Sequence, residues 1–471
     1  MDSGGAMTAV SRLALATSAS GPEPSVMALA LLAGLTAKRW RVQHFRSRAC
    51  PTAIEVVGQL TGLPGRHLDA WLMPPEVCRS LFLRGMQAAE LAVVEGTLDP
   101  PLPVELRSRC ALPGDLRPIV TALDLPVLAV VTLPETPEGS VHLPRLPEGV
   151  DGVLIDGLRD LESLPRVRRL IRMAWNLPVV GALEPLPAVR AALEANGPKH
   201  LPPDLFLALG ERFLKHADLE TIRSLAQSRP FPGDTESVCA CGKSPCTRCI
   251  RVAYACDEAF GRYFPDTLEA LEALGAELVE FSPLRDESLP IGVDLVLIGC
   301  GMPDQYAEEL ASNLSMIAAL RQHVCRGQRI YSEGGGTAYL GRWMVVGGQK
   351  YPGARIFPLE AELVDPPGPP VPVTRQLLMD CWLGPKGATV RGYRSGRWRF
   401  RSSMEGLECP ACCGTLAADG DLVYHHHAVG SLIHLHLGAL PDVVAAFAGP
   451  HHPSLRRPSI HGLPPRPSGR L

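Results

Sequence analysis

Short apolar runs separated by longer mixed stretches fill the first half of the chain: Leu13–Thr17, Leu91–Val94, Val127–Val131, Val153–Ile155 and Val179–Leu183. Runs of this length predict strands buried on both faces, and the intervals between them are long enough for helices. Together they predict a parallel sheet covered on both sides. The segment Ser25–Leu35 is apolar nearly throughout and predicts a buried helix, and Leu201–Ala226 predicts one or two helices closing the unit. At Ser228-Arg-Pro-Phe-Pro-Gly-Asp234 the composition shifts toward a linker that runs into a Cys-rich stretch. A second α/β pattern comes next, with strands at Val252–Ala255, Glu277–Phe281, Leu295–Ile298 and Arg329–Tyr331 and helices at Thr267–Leu274 and Tyr306–Leu320. Pro366–Pro372 predicts a break, and the less periodic region beyond it predicts antiparallel strands ending in Leu432–Leu437. The pattern divides the chain into units at 1–232 and 251–447, a Cys-rich linker at 233–250 and a disordered tail at 448–471 that lacks acidic residues.

Composition narrows the function classes. Hydrophobic residues make up 46% and charged residues 20% of 471, enough for a sizeable core. A balance of 46 Lys+Arg against 49 Asp+Glu gives no basic footprint for nucleic acid. The longest apolar stretch, Val26–Leu35, is too short for the roughly 20 residues of a membrane span, and no signal-peptide pattern opens the chain. The 14 Cys do not form the framework of a small secreted domain, so a reducing cytoplasm is the expected location.

Chemistry concentrates at four places. The loop Ser18–Ser25 lies between a strand and a buried helix, the context of a phosphate-binding turn. Its chemistry argues against one: Pro22 and Pro24 lack amide hydrogens, Glu23 would repel phosphate, and the same residues make an ordinary helix start. Glu95, at the end of the strand Leu91–Val94 and before Gly96, is placed either as a magnesium ligand or as a solvent-facing strand end. Arg329–Leu340 reads as strand, sharp Gly turn and helix, the layout of a nucleophile elbow. The elbow position is Gly334, which has no side chain, and a second Gly turn at Gly299-Cys300-Gly301 suits oxyanion donors. His434 and His436, two apart on a predicted strand, offer either a base or buried histidines. Finally Cys239, Cys241, Cys246 and Cys249 could hold zinc or an iron–sulfur cluster, or form an oxidisable linker without a ligand. The Cys-x-x-Cys pairs 246/249 and 409/412 could instead share one zinc.

The order of segments resembles the cobyrinate a,c-diamide synthases, the glutamine-dependent amidotransferases of corrin biosynthesis. In the first half the resemblance rests on Arg41-Val-Gln-His-Phe45, His67-Leu-Asp-Ala-Trp71 and Val93-Val-Glu-Gly96. In the second it rests on Phe264–Leu278, Phe281-Ser-Pro-Leu284, Ala307–Ala311, Ser332-Glu-Gly-Gly335 with Tyr339-Leu-Gly341, and Ser431-Leu-Ile-His-Leu-His436. The resemblance implies an α/β protein with an N-terminal P-loop-type synthetase domain that activates a tetrapyrrole carboxylate with ATP and magnesium. It also implies a class I glutamine amidotransferase-like domain in which a Cys and a His release ammonia from glutamine.

On this chain the family's phosphate-loop lysine falls on Glu23 and its nucleophile on Gly334. The family's phosphate-loop glycine falls on Pro22 and its hydroxyl on Pro24, with Ser25 next, while Glu95 and Asp69 keep acidic positions of the synthetase half and His434 keeps the catalytic His. The His-Glu pair usual after the Gly-Tyr segment is absent near Gly392-Tyr393. The expectation is a divergent homologue without glutaminase or ATP-dependent activity that binds a tetrapyrrole or a partner enzyme, and forms a homodimer. The rivals are an active amidoligase using free ammonia and a zinc-binding regulatory module. Cys300 is held beside these as a displaced nucleophile.

Overall fold

The structure is a computed structural model that describes residues 10–17, 25–50, 54–98, 112–133, 142–196, 202–231, 250–402, 415–416, 420–440 and 443–444. Glu23, the linker with Cys239–Cys249, Cys409, Cys412 and the tail from Gly449 lie outside them.

The first unit runs β1 (Ser11–Ala16), α1 (Val26–Ala37), β2 (Val42–Arg46), α2 (Ile54–Thr61), β3 (Arg66–His67), α3 (Pro75–Met86), β4 (Leu91–Gly96), α4 (Arg117–Leu123), β5 (Val127–Thr132), β6 (Gly152–Asp156), α5 (Leu164–Trp175), β7 (Val179–Leu183), α6 (Pro187–Asn196), α7 (Pro203–Leu214) and α8 (Leu219–Ala226). Its seven strands pair in parallel in the order β3-β2-β4-β1-β5-β6-β7. The strand order doubles back at β4 and β1, so the carboxyl ends of those two strands form the crevice where such sheets place ligands. Helix α1 is buried over Val26–Leu35 because it lies between the sheet and α7. The two helices cross where glycines meet: a Cβ on Gly210 would come 2.9 Å from the Ala33 backbone, and one on Gly34 2.9 Å from the Phe213 ring.

The second unit runs β8 (Arg251–Ala255), β9 (Phe260–Arg262), α9 (Pro265–Ala273), β10 (Glu277–Phe281), β11 (Leu295–Ile298), β12 (Cys300–Gly301), α10 (Ala307–Ser312), α11 (Leu314–Cys325), β13 (Arg329–Glu333) and α12 (Gly335–Leu340). It continues with β14 (Trp343–Val346), β15 (Gln349–Pro352), β16 (Leu359–Gln376), β17 (Thr389–Ser402), β18 (Thr415–Leu416), β19 (Leu422–His425), β20 (Ala428–Ser431) and β21 (Ile433–His434). The main sheet has the order β10-β8-β11-β13-β20-β19-β18, parallel from β10 through β20. Beside it stands a five-stranded sheet, β15-β14-β16-β17-β21.

Three expectations change. The helix over Tyr306–Leu320 is two helices, because Asn313 breaks it and caps α11 by accepting a hydrogen bond from the Met316 amide at 3.1 Å. Pro366–Pro372 is not a break but the middle of β16, tolerated because β17 is the one strand bonded there and the ladder shifts register around Gly368. The predicted strand over Leu432–Leu437 stops at His434, and His436 opens a short 3-10 turn.

The two units meet across buried polar contacts. Arg66 of β3 donates to Asp266 of α9 at 2.6 Å and to both carboxylate oxygens of Glu269. The Tyr393 hydroxyl of β17 donates to Asp69 at 2.5 Å, and Trp71 packs edge-on against Tyr393. Among the described residues no helix is long and apolar enough to cross a membrane.

Candidate functional site

Strands β11, β13 and β20 are neighbours in the main sheet, and all three run the same way. Their carboxyl ends therefore bring three segments to one edge: Gly299-Cys300-Gly301 after β11, Gly334 after β13, and His434 shortly after β20. The turn at Gly334 is a true elbow. Its φ of 49° and ψ of −113° lie in a region that favours glycine, and its amide donates to the Ser431 carbonyl at 2.7 Å. Thr337, in the helix after the elbow, ties the strands together by bonding Ser332 at 2.9 Å and the Ser431 amide at 3.1 Å.

The three expected residues converge. A Cβ built on Gly334 would lie 3.2 Å from Cε1 of His434, 3.9 Å from its Nε2 and 3.3 Å from Cβ of Cys300. His434 is buried, and its Nδ1 faces Oε2 of Glu333 at 3.3 Å. Oε1 of Glu333 accepts from the Tyr331 hydroxyl at 2.6 Å and from the Leu435 amide at 3.0 Å, so the carboxylate is fixed from three sides. Burial alone would push the imidazole toward the neutral form. The nearby Cys300 sulfur and the Glu333 carboxylate outweigh it and raise His434 to about 10. Glu333 is thus the carboxylate that faces His434. A signal for it was present in the sequence: Tyr331 and Glu333 alternate on one face of the strand that ends at the elbow.

The loop that bears Cys300 is held as firmly. The Gly299 amide donates to the Tyr263 hydroxyl at 3.0 Å, and that hydroxyl donates to the Ala255 carbonyl at 2.9 Å. Cys300 pairs with Arg262 across β12 and β9, and its thiol donates to the Arg262 carbonyl at 3.4 Å. A narrow cleft lies beside this edge, lined by Arg262, Thr267, Gly299, Glu333 and Leu435 among others.

His436 does not share this site with His434. It sits 3.6 Å from Asp266 and beside the His67 ring, at the junction of the two units. A second cleft of about 580 Å³ lies there, between Leu72 of the first unit and Thr389, Arg391 and His436 of the second.

In the first unit Ser25 caps α1, accepting from the Ala28 amide at 3.1 Å. Its own amide donates to Oε1 of Glu95 at 2.8 Å, while Oε2 of Glu95 bonds His44 at 3.0 Å. Glu95 is buried and does not face solvent. Burial would raise its carboxyl, but His44 and the Ser25 contacts hold it below the usual carboxylate range. Asp69 is buried as well, and accepts from the Ala49 amide at 3.2 Å, the Trp71 amide at 3.0 Å and the Tyr393 hydroxyl. Burial pushes its carboxyl up against these bonds. Asp69 and Ser25 therefore sit in different places: one joins the units, the other starts α1.

Among the described residues no group of three or more His, Cys, Asp or Glu side chains could hold a metal ion.

A CobB/CobQ-like glutamine amidotransferase domain model matches residues 251–439. The chain is 30% identical over 349 residues to a cobyrinate a,c-diamide synthase of Syntrophotalea carbinolica, covering 70% of this chain and 73% of that protein. It is 24% identical over 470 residues to the cobyrinate a,c-diamide synthase of Caldanaerobacter subterraneus, covering 91% and 95%. A crystal structure of a glutamine amidotransferase aligns with a TM-score of 0.31 and 20% identity, over 42% of this chain and 98% of that one.

Proposed function

Because the chain belongs to the cobyrinate a,c-diamide synthase family, we propose that it serves cobalamin biosynthesis as a divergent, corrin-binding homologue that does not itself turn over ATP. The observation that carries this reading is the state of the helix start at α1. Glu95, the acidic residue at the crevice, has one oxygen committed to the Ser25 amide and the other to His44. A magnesium ion would need that carboxylate as an open oxygen ligand. The sequence adds Glu23 in the place of the family's lysine and prolines on both sides of it. These residues do not fit a magnesium nucleotide.

What supports corrin binding is the cleft at the junction. It is open to both units and carries Arg391, a fixed cation suited to carboxylates. Its size suits one edge of a polycarboxylate macrocycle rather than the whole. At position 334 no covalent step is available, since glycine offers no nucleophile.

The test uses the purified full chain. Titration with cobyrinate, followed by its visible absorption, is expected to show saturable binding that weakens in Arg391→Ala. ATP hydrolysis is expected to stay at background with and without cobyrinate. Cobyrinate-dependent ATP hydrolysis with amide product would overturn the reading in favour of an active amidoligase.

A further inference from the structure

The glycine turns around the elbow explain which side chain this site can admit. A Cβ on Gly299 would lie 2.7 Å from the Tyr263 ring, and one on Gly301 only 1.9 Å from the Ala259 carbonyl oxygen. A Cβ on Gly335 would meet Pro303 at 2.7 Å, and one on Gly336 the Ile298 carbonyl oxygen at 2.3 Å. Four of the positions facing this edge are therefore closed to any side chain. Position 300 has one, and position 334 has room only if Cys300 yields, since the two Cβ atoms would stand 3.3 Å apart. A thiol at 300 and a bare backbone at 334 are complementary occupants of one small space.

We propose that Cys300 is the nucleophile of the amidotransferase half, acting with His434 and Glu333 on a primary carboxamide of glutamine type. The proposal rests on the chain's proposed role in this family and deepens it. Its geometry is that of a relay. Glu333, fixed by Tyr331 and Leu435, faces Nδ1 of His434, which leaves Nε2 directed toward the point between Cys300 and Gly334. The proton affinity of His434 is raised by both neighbours, which favours an imidazolium facing Cys300. A cleft lined by Gly299, Glu333 and Leu435, the chain neighbours of Cys300, Gly334 and His434, lies beside the pair.

The chemistry balances without a co-reactant beyond water. The Cys300 sulfur adds to the amide carbon and the carbonyl pair moves to oxygen. As that pair returns, the C–N bond breaks and the departing nitrogen takes the His434 proton, leaving ammonia and a thioester. Water then gives a proton to His434 and its oxygen to the acyl carbon. The C–S bond breaks, releasing glutamate and restoring the thiolate–imidazolium pair.

The experiment measures ammonia release from glutamine by the full-length protein, and maps by peptide mass spectrometry where the diazoketone analogue of glutamine attaches. Wild type is expected to release ammonia and to be labelled on Cys300. Cys300→Ser and Cys300→Ala are expected to lose ~10³-fold or more of the rate, with the serine variant guarding against a packing effect. Alkylation of Cys300 by iodoacetamide at neutral pH is expected to be faster in wild type than in His434→Gln. Persistence of ammonia release in Cys300→Ser, or labelling at another residue, overturns the proposal. So does a wild type that releases no ammonia. In that case cobyrinate binding by the same preparation, and activity gained by the double variant Cys300→Gly/Gly334→Cys, show whether the family reading survives the loss.

Discussion

Removing the Arg66 guanidinium should loosen the seam between the two units. The side chain is 9% exposed and bridges Asp266, itself 1% exposed, and Glu269 on α9. Arg66→Ala leaves Asp266 buried with the His436 ring 3.6 Å away. Breaking a buried pair by removing one partner costs about 3–5 kcal/mol, most of it the desolvated charge left behind. The nearby imidazole and the partial exposure of Glu269 place the expected loss at the lower end, about 3 kcal/mol. A loss of that size multiplies opening of the seam by roughly 100-fold, at about 1.36 kcal/mol per decade. A single unfolding midpoint is a poor readout for two units, so the assay is hydrogen exchange at the amides of α9, compared with those of β11 in the interior of the second unit. Exchange at α9 should rise by about two decades while β11 changes little. The triple replacement Arg66→Met, Asp266→Asn and Glu269→Gln should return most of the protection, because it removes the buried charges together. A change of less than ~3-fold at α9 in Arg66→Ala would refute the reasoning, since it would mean that the pair contributes no more than a solvent-exposed one.

The two sites carry further expectations. His434 binds its proton more tightly folded than unfolded, so its share of stability is fully present below the ordinary histidine range near ~6.5 and is lost as pH rises toward about 10. Urea midpoints of wild type should fall across that window, and Glu333→Gln, which keeps the shape but removes the charge on Nδ1, should flatten the slope; an unchanged slope would count against the pairing. For the cluster Cys239, Cys241, Cys246 and Cys249, elemental analysis of untagged protein should find about one zinc per chain if these thiolates close a tetrahedral site. Less than one metal per few chains would remove a structural metal from the account.

The strands that were legible in the sequence are those whose two faces are both apolar. Val179–Leu183 and Leu295–Ile298 are seen in the structure with the bounds their apolar runs predict. Strand β2 was not legible, because its sequence Val-Gln-His-Phe-Arg mixes buried polar side chains with apolar ones. The polar members are buried for reasons that lie far along the chain: His44 meets Glu95, and Gln43 donates to the Pro64 carbonyl at 2.8 Å. A local pattern cannot encode such partners. The same limit separates His434 from His436. Alternation put them on one face, but the strand ends between them, and a 3-10 turn sends the second to Asp266.

The site teaches the converse. Gly334 reads from sequence as a loss, a nucleophile position without a side chain, and taken alone it argues for an inert scaffold. Only the parallel order β11-β13-β20 shows that the turn holding Cys300 ends at the same place as the elbow, from a strand well upstream. Sequence spacing cannot reveal whether two such turns share one cavity or face apart; strand order can. With Gly299, Gly301, Gly335 and Gly336 all closed to a Cβ, a sulfur near His434 can come from 334 or from 300, but two side chains would crowd into 3.3 Å. A chain that kept both would strain the elbow, and one that kept neither would leave the Glu333–His434 pair buried with nothing to act on. The Glu333–His434 pair stays buried at the desolvation cost such a pair carries, and under the proposed role it acts on Cys300.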